Sequence, residues 1–108
     1  DAAPELVRGL LRAAGYAIED LADDTSLALS GGDSVYVRSV PPADGEHPEL
    51  GESDVEAFLF GLARSSANQG ILVTAKLVPF HLYEREHGKA RLLGRQRLPG
   101  FARSIFRP

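Results

Sequence analysis

Apolar positions along this chain change their spacing twice, and each change marks a new kind of element. From Pro4 onward they fall at helical intervals, with Leu6, Val7, Leu10, Leu11 and Ala14 on one face. Pro4 suits the first helical position. Gly15 suits a left-handed helix end, from which Tyr16 folds back onto Leu11. The spacing then drops to two. Tyr16–Asp20 predicts a strand and Asp23-Asp24 an acidic loop. Ser26–Leu29 and Ser34–Val40 predict the arms of a hairpin turned at Gly31-Gly32. In the second arm Val35, Val37 and Ser39 face one way, while Tyr36, Arg38 and Val40 face the other.

Beyond Val40 the pattern predicts a flexible acidic loop over 41–52. Ser53-Asp54-Val55-Glu56 then fits a capping box opening a second helix, with Val55, Phe58, Leu59 and Leu62 as its apolar stripe. Asn68-Gln69-Gly70 breaks that helix. The run Gly70-Ile71-Leu72-Val73-Thr74-Ala75 has no polar alternation, which predicts a strand buried on both faces. Pro79 to His87 reads as a third helix closed by Gly88, Ala90–Gly94 as a short strand, and Phe101–Phe106 as a helical turn within a tail over 100–108. A strand with helices before and after it belongs to the parallel part of a sheet. The expectation is therefore an α/β protein, one domain over 1–108, in the order α-β-β-β-α-β with a mixed central sheet flanked by helices.

Composition narrows the class. A chain of 108 residues supports one core, and 44% hydrophobic with 25% charged residues is ordinary for a globular domain. No run approaches the roughly 20 apolar residues of a membrane helix, so no membrane partner is expected. With no Cys, neither a disulfide framework nor a thiolate metal site is possible, and a cytoplasmic location is the default. The chain lacks Met and starts at Asp1, so a piece of a longer protein is expected. Charge is polarised: residues 1–56 carry 13 acidic groups against Arg8, Arg12 and Arg38, net −10, whereas residues 81–108 carry net +5. An anionic partner near the C-terminal third would complement this, although the acidic pI of about 5.5 argues against strong autonomous nucleic-acid binding.

Three segments carry a family resemblance. They are Leu10-Leu11-Arg12-Ala13-Ala14-Gly15-Tyr16, Gly70-Ile71-Leu72-Val73-Thr74, and the short helix followed by Arg91-Leu92-Leu93. In this order, over residues 4 to 99, they resemble the restriction-endonuclease-like fold and, within it, the Mrr-like group. The resemblance implies an Asp on the second strand, then Glu or Gln, any residue and Lys on the third, together holding a divalent cation beside a phosphate. On this chain those positions fall best on Ser26, Arg38 and Val40, or one residue over on Val37 and Ser39. Neither alignment assembles two carboxylates and a Lys, so no catalytic residues, metal or cofactor are expected.

Asp33 at the hairpin tip reads as turn chemistry. His81 and His87 are six apart, which does not suit a helical zinc pair, and His47 lies in the acidic loop. Lys76 follows the buried strand and precedes a helix, where α/β sheets expose ligand sites. His81 and Arg85, four apart on one helical face, extend that surface, and Arg91, Arg95 and Arg97 continue it in sequence. With Arg38 these residues form the expected nucleic-acid-binding set. Three functions stay open. The first is an inactive nuclease-fold domain that binds DNA weakly or scaffolds a DNA-processing protein. The second is a rearranged Mg²⁺ nuclease using Asp24 or Asp33 with Lys76. The third is a protein-interaction or homodimerisation module presenting Tyr36, Phe101, Ile105 and Phe106.

Overall fold

Five strands form one sheet in the order β1-β2-β3-β4-β5 in a computed structural model of the chain. The structure describes residues 3–41, 49–86 and 88–105, excepting the side chains of 102–105. The elements are α1 (Ala3–Ala13), β1 (Ala17–Ala22), β2 (Thr25–Ser30), β3 (Asp33–Val40), α2 (Glu52–Ser65), β4 (Gln69–Thr74), a 3₁₀ helix (Phe80–Arg85), β5 (Ala90–Leu93) and α3 (Leu98–Ile105). β1, β2 and β3 pair antiparallel, while β3, β4 and β5 pair parallel. The sheet is thus mixed, with the expected order of elements, and helices cover both of its faces.

Local chemistry accounts for most boundaries. At the end of α1 the Tyr16 N–H reaches back to the Leu11 carbonyl at 2.9 Å and the Gly15 N–H to that of Arg12 at 3.0 Å, with Gly15 at φ +98°. That is the paired-bond, left-handed termination expected of Gly-Tyr. The hairpin between β2 and β3 turns on Gly31-Gly32, with Ser30 paired to Asp33. Asn68 ties this turn down. Its amide donates to the Gly32 carbonyl at 2.9 Å and its Oδ1 accepts the Ser34 N–H at 3.0 Å.

Three boundaries differ from expectation. α2 is capped by Gly51, not Ser53: Asp54 Oδ2 accepts the Gly51 N–H at 3.1 Å, so Asp54 plays the part assigned to Glu56. Leu50 explains the shift. Its N–H bonds to the Leu77 carbonyl at 2.9 Å, and its side chain buries in the same cluster as Val55, a hydrophobic staple that fixes where the helix starts. The third predicted helix is 3₁₀ rather than α, with Leu82 N–H bonded to Pro79 O and Glu86 N–H to Tyr83 O. The last helix starts at Leu98, with Pro99 in its first turn, rather than at Phe101. Of the predicted acidic loop, 42–48 lies outside the described residues, and its end at Glu49 bridges to Leu77.

Two core layers result. α1 and α3 pack on one face with Val35, Val37, Ile71, Val73 and Leu93 beneath them. α2 and the 3₁₀ helix pack on the other over Tyr36, Val40, Leu72 and Leu92. β4, flanked by strands on both edges and by helices on both faces, is buried from Gly70 to Thr74, as its unbroken apolar run predicts. Tyr36 is only 4% exposed and stacks on Phe58, and Phe101 is 7% exposed. Neither can therefore present the docking surface expected of it, because the alternation that made Tyr36 look solvent-facing pointed it under α2. Ile105 and Phe106 of the same expected surface fall outside the described side chains. Among the described residues no helix is long and apolar enough to cross a membrane.

Candidate functional site

The carboxyl ends of β4 and β5 lie side by side, and the segments leaving them are laced together. Arg95 donates from its backbone N–H to the Lys76 carbonyl at 3.1 Å and from Nε to the Ala75 carbonyl at 3.1 Å. The Gln96 amide donates to the Val78 carbonyl at 3.2 Å. Gly94 permits this approach, since a Cβ there would come within 2.4 Å of Val78 Cγ2 and 3.1 Å of the Lys76 carbonyl. Two crossovers distant in sequence thereby present one surface.

Arg97 is the centre of that surface. Its Nη1 donates to both Glu86 carboxylate oxygens, at 2.9 and 2.7 Å, and its guanidinium carbon lies 3.8 Å from the centroid of the Tyr83 ring. Glu86 also accepts the Leu92 N–H at 2.7 Å, closing a donor on β5. One carboxylate therefore fixes both a cation and an edge strand. Burial pushes the Tyr83 hydroxyl above the usual phenol range, against the opposing pull of Arg97. That hydroxyl is enclosed and finds no hydrogen-bond partner among the described residues. Phe80 meets Tyr83 edge-on at 6.3 Å between centroids and is 91% exposed.

The expected binding residues divide accordingly. Arg95 and Arg97 belong to this cluster, and Arg91 joins Arg97, Glu86, Gln96, Leu93 and Phe101 in lining an open pocket of about 710 Å³ beside β5. His81 and Arg85 lie on the 3₁₀ helix. With three residues per turn, positions four apart diverge by about a third of a turn, so the two do not share the face that α-helical spacing implied. Lys76 stands at the expected end of the sheet but is 6% exposed, and so offers a large anion little surface. Arg38 is apart from the others, on β3 and 3.5 Å from Asp24. His47 and His87 lie outside the described residues. Sequence reasoning missed Phe80, Tyr83 and Glu86. One signal was available for Phe80: Leu82, two residues on, is the buried position of that short helix, so Phe80 points elsewhere.

The positions assigned by the family resemblance form a second cluster on the α1 face. Ser26 pairs with Val37, and residues directly opposite in an antiparallel pair point to the same side of the sheet. Ser26 therefore shares a face with Val37 and Ser39. Arg38 and Val40 project to the other face, so the expected grouping of Ser26 with Arg38 and Val40 does not form. Ser26, nearly fully buried, receives a hydrogen bond from Arg8 Nη2 at 2.8 Å and donates one to Asp20 Oδ1 at 3.1 Å, while Arg8 and Asp20 pair directly at 2.5 Å. The Arg8 guanidinium, helped by the Ser26 hydroxyl, holds the Asp20 carboxyl below its ordinary range.

Of the rearranged nuclease set, Asp33 is kept apart from Lys76. Asp33 begins β3 and Lys76 follows β4 past Thr74, the partner of Val40, so about 23 Å of strand separates the two ends. Asp24 lies at the nearer end, against Arg38. Among the described residues no three His, Asp or Glu side chains gather as metal ligands. Compared with known proteins, the chain matches no family model, no curated protein and no solved structure.

Proposed function

We propose that this domain is a catalytically silent nuclease-fold module that binds nucleic acid through the cationic end built around Arg97. The observation that carries the reading is the seating of that guanidinium. It is stacked on Tyr83, aligned by Glu86, and flanked by exposed Arg91 and Arg95. A guanidinium held over an aromatic ring and paired to a carboxylate loses little side-chain freedom when it meets a phosphate. The neighbouring arginines add counterion release, which makes such binding salt-sensitive.

The α-β-β-β-α-β order and the mixed sheet support the nuclease-fold part. Silence is supported by what surrounds Ser26. Its face of β3 offers Val37 and Ser39, and the nearest carboxylate, Asp20, is already held by a guanidinium. A metal-dependent cutter needs ligands that are both acidic and available.

Anisotropy titrations of a labelled oligonucleotide over a salt series test the reading. Three engaged phosphates predict a slope of log K on log salt of about −2 for a single strand. Arg91→Glu, at an exposed position, should weaken binding at least tenfold at low salt without loss of fold. Incubation with plasmid and Mg²⁺ or Mn²⁺ should leave the DNA intact. Absence of binding at low salt defeats the proposal, and cleavage defeats its silent part.

A further inference from the structure

We infer that Phe80 is a base-stacking platform and that the nucleic acid bound at this end is single-stranded. The inference rests on the reading above and names its substrate class. A lone exposed apolar side chain is unremarkable on a protein surface. Phe80 is different in its setting. It is 91% exposed, yet its ring is not adrift: it stands edge-on to Tyr83, interplanar angle 85°, and Tyr83 in turn carries the Arg97 guanidinium on its face. Pro79 fixes the backbone directly before it, and the 3₁₀ helix begins at Phe80 itself. A positioned aromatic ring is thus offered to solvent next to the tyrosine that carries Arg97.

The chemistry of the surroundings selects the occupant. Arg97 lies on the adjoining Tyr83 ring, His81 follows Phe80 directly and Arg85 closes the same short helix, while of the acidic residues there Glu86 is engaged by Arg97 and the Leu92 N–H. An apolar protein partner would leave these charges to be desolvated against it. A planar base followed by a phosphate satisfies ring and cations together, which is how single-strand binders combine stacking platforms with basic tracks. In a duplex the base faces are occupied by their neighbours, so only an unpaired base can use Phe80.

Phe80→Ala, Phe80→Leu and Phe80→Tyr test this, because the side chain is exposed and its loss leaves the core intact. Binding of labelled oligothymidine and of a hairpin duplex is measured by anisotropy at fixed salt, with circular dichroism as the check of fold. The expected result is tighter binding of oligothymidine than of duplex, a loss of about 5- to 150-fold for oligothymidine in Phe80→Ala, retention in Phe80→Tyr and no rescue in Phe80→Leu. Duplex binding should not change among the variants. If nucleic acid binds but Phe80→Ala is indifferent, or Phe80→Leu restores full affinity, the stacking inference is overturned while the broader reading stands. If polyglutamate binds as tightly as oligothymidine, the end is a general polyanion surface and the inference is likewise overturned. If no nucleic acid binds at low salt, both fall.

Discussion

The Arg8–Asp20 and Arg97–Glu86 pairs are alike in composition, and their surroundings make them different objects. Arg8 and Asp20 meet over a buried serine, and the Arg8 side chain is 20% exposed. Arg97 and Glu86 meet over a tyrosine ring beside an exposed phenylalanine, and the Arg97 side chain is 40% exposed. In the first pair a single Arg8 nitrogen, Nη2, serves both the exposed Asp20 carboxylate and the buried Ser26 hydroxyl, tying α1 to the sheet. In the second, Nη1 is committed to Glu86, whereas Nη2 and Nε make no hydrogen bond among the described residues. An ion pair becomes a candidate site when what it leaves unsatisfied faces solvent. The contrast is testable in stability and in binding.

The largest stability effect is expected at Glu86. Glu86→Ala strands the Leu92 N–H at a buried residue and releases Arg97, costing about 1–3 kcal/mol in urea unfolding. Glu86→Gln should recover part of this through its remaining carbonyl. An unchanged midpoint in Glu86→Ala would show that water replaces the carboxylate freely. Ser26→Ala should cost about 1 kcal/mol for the lost buried hydrogen bonds, with oligonucleotide affinity unaltered. A loss of affinity there would erase the distinction between the two clusters.

Asp20 gives a smaller, pH-dependent effect. Its carboxyl is held below the ordinary range in the folded state, so the ionised form contributes stability above the unfolded value, and that contribution disappears as pH falls through the folded one. Asp20→Asn should therefore be less stable than the parent at neutral pH and converge with it in acid. A constant difference across pH 2 to 7, a range of about five units, would place the cost elsewhere than in the charge. Tyr83→Phe should have the least effect, within about 0.5 kcal/mol and in the stabilising direction, because it deletes an unpartnered hydroxyl while keeping the ring under Arg97. A clear destabilisation would reveal a partner for that hydroxyl.

Much of the architecture was legible before any coordinates. Gly15-Tyr16, Gly31-Gly32 and the run Ile71-Leu72-Val73 each encode their conformation within a few residues, through a positive φ, a tight turn or burial on two faces. The starts of α2 and of the last helix were misplaced, and the segment at Phe80 was read as α rather than 3₁₀. For α2, the cause is a contact outside the local window: Leu50 is held by Leu77, and that contact overrules the Ser53 box. The candidate site was half legible. Arg91, Arg95 and Arg97 stood out as a charge run, but not the ring beneath Arg97 or the carboxylate beside it.

By itself the sequence determined which segments are helix and which are strand, where most of them turn, and that the acidic and basic groups lie at opposite ends of the chain. Those are consequences of local backbone preference and of apolar spacing, which need no distant partner. Only the tertiary structure decided that Ser26 faces Val37 instead of Arg38, that Tyr36 and Phe101 are interior, and that Phe80, Tyr83, Glu86 and Arg97 stand together. Strand register and the Gly94–Val78 approach settle those placements, and both join residues whose separation in sequence carries no local signal.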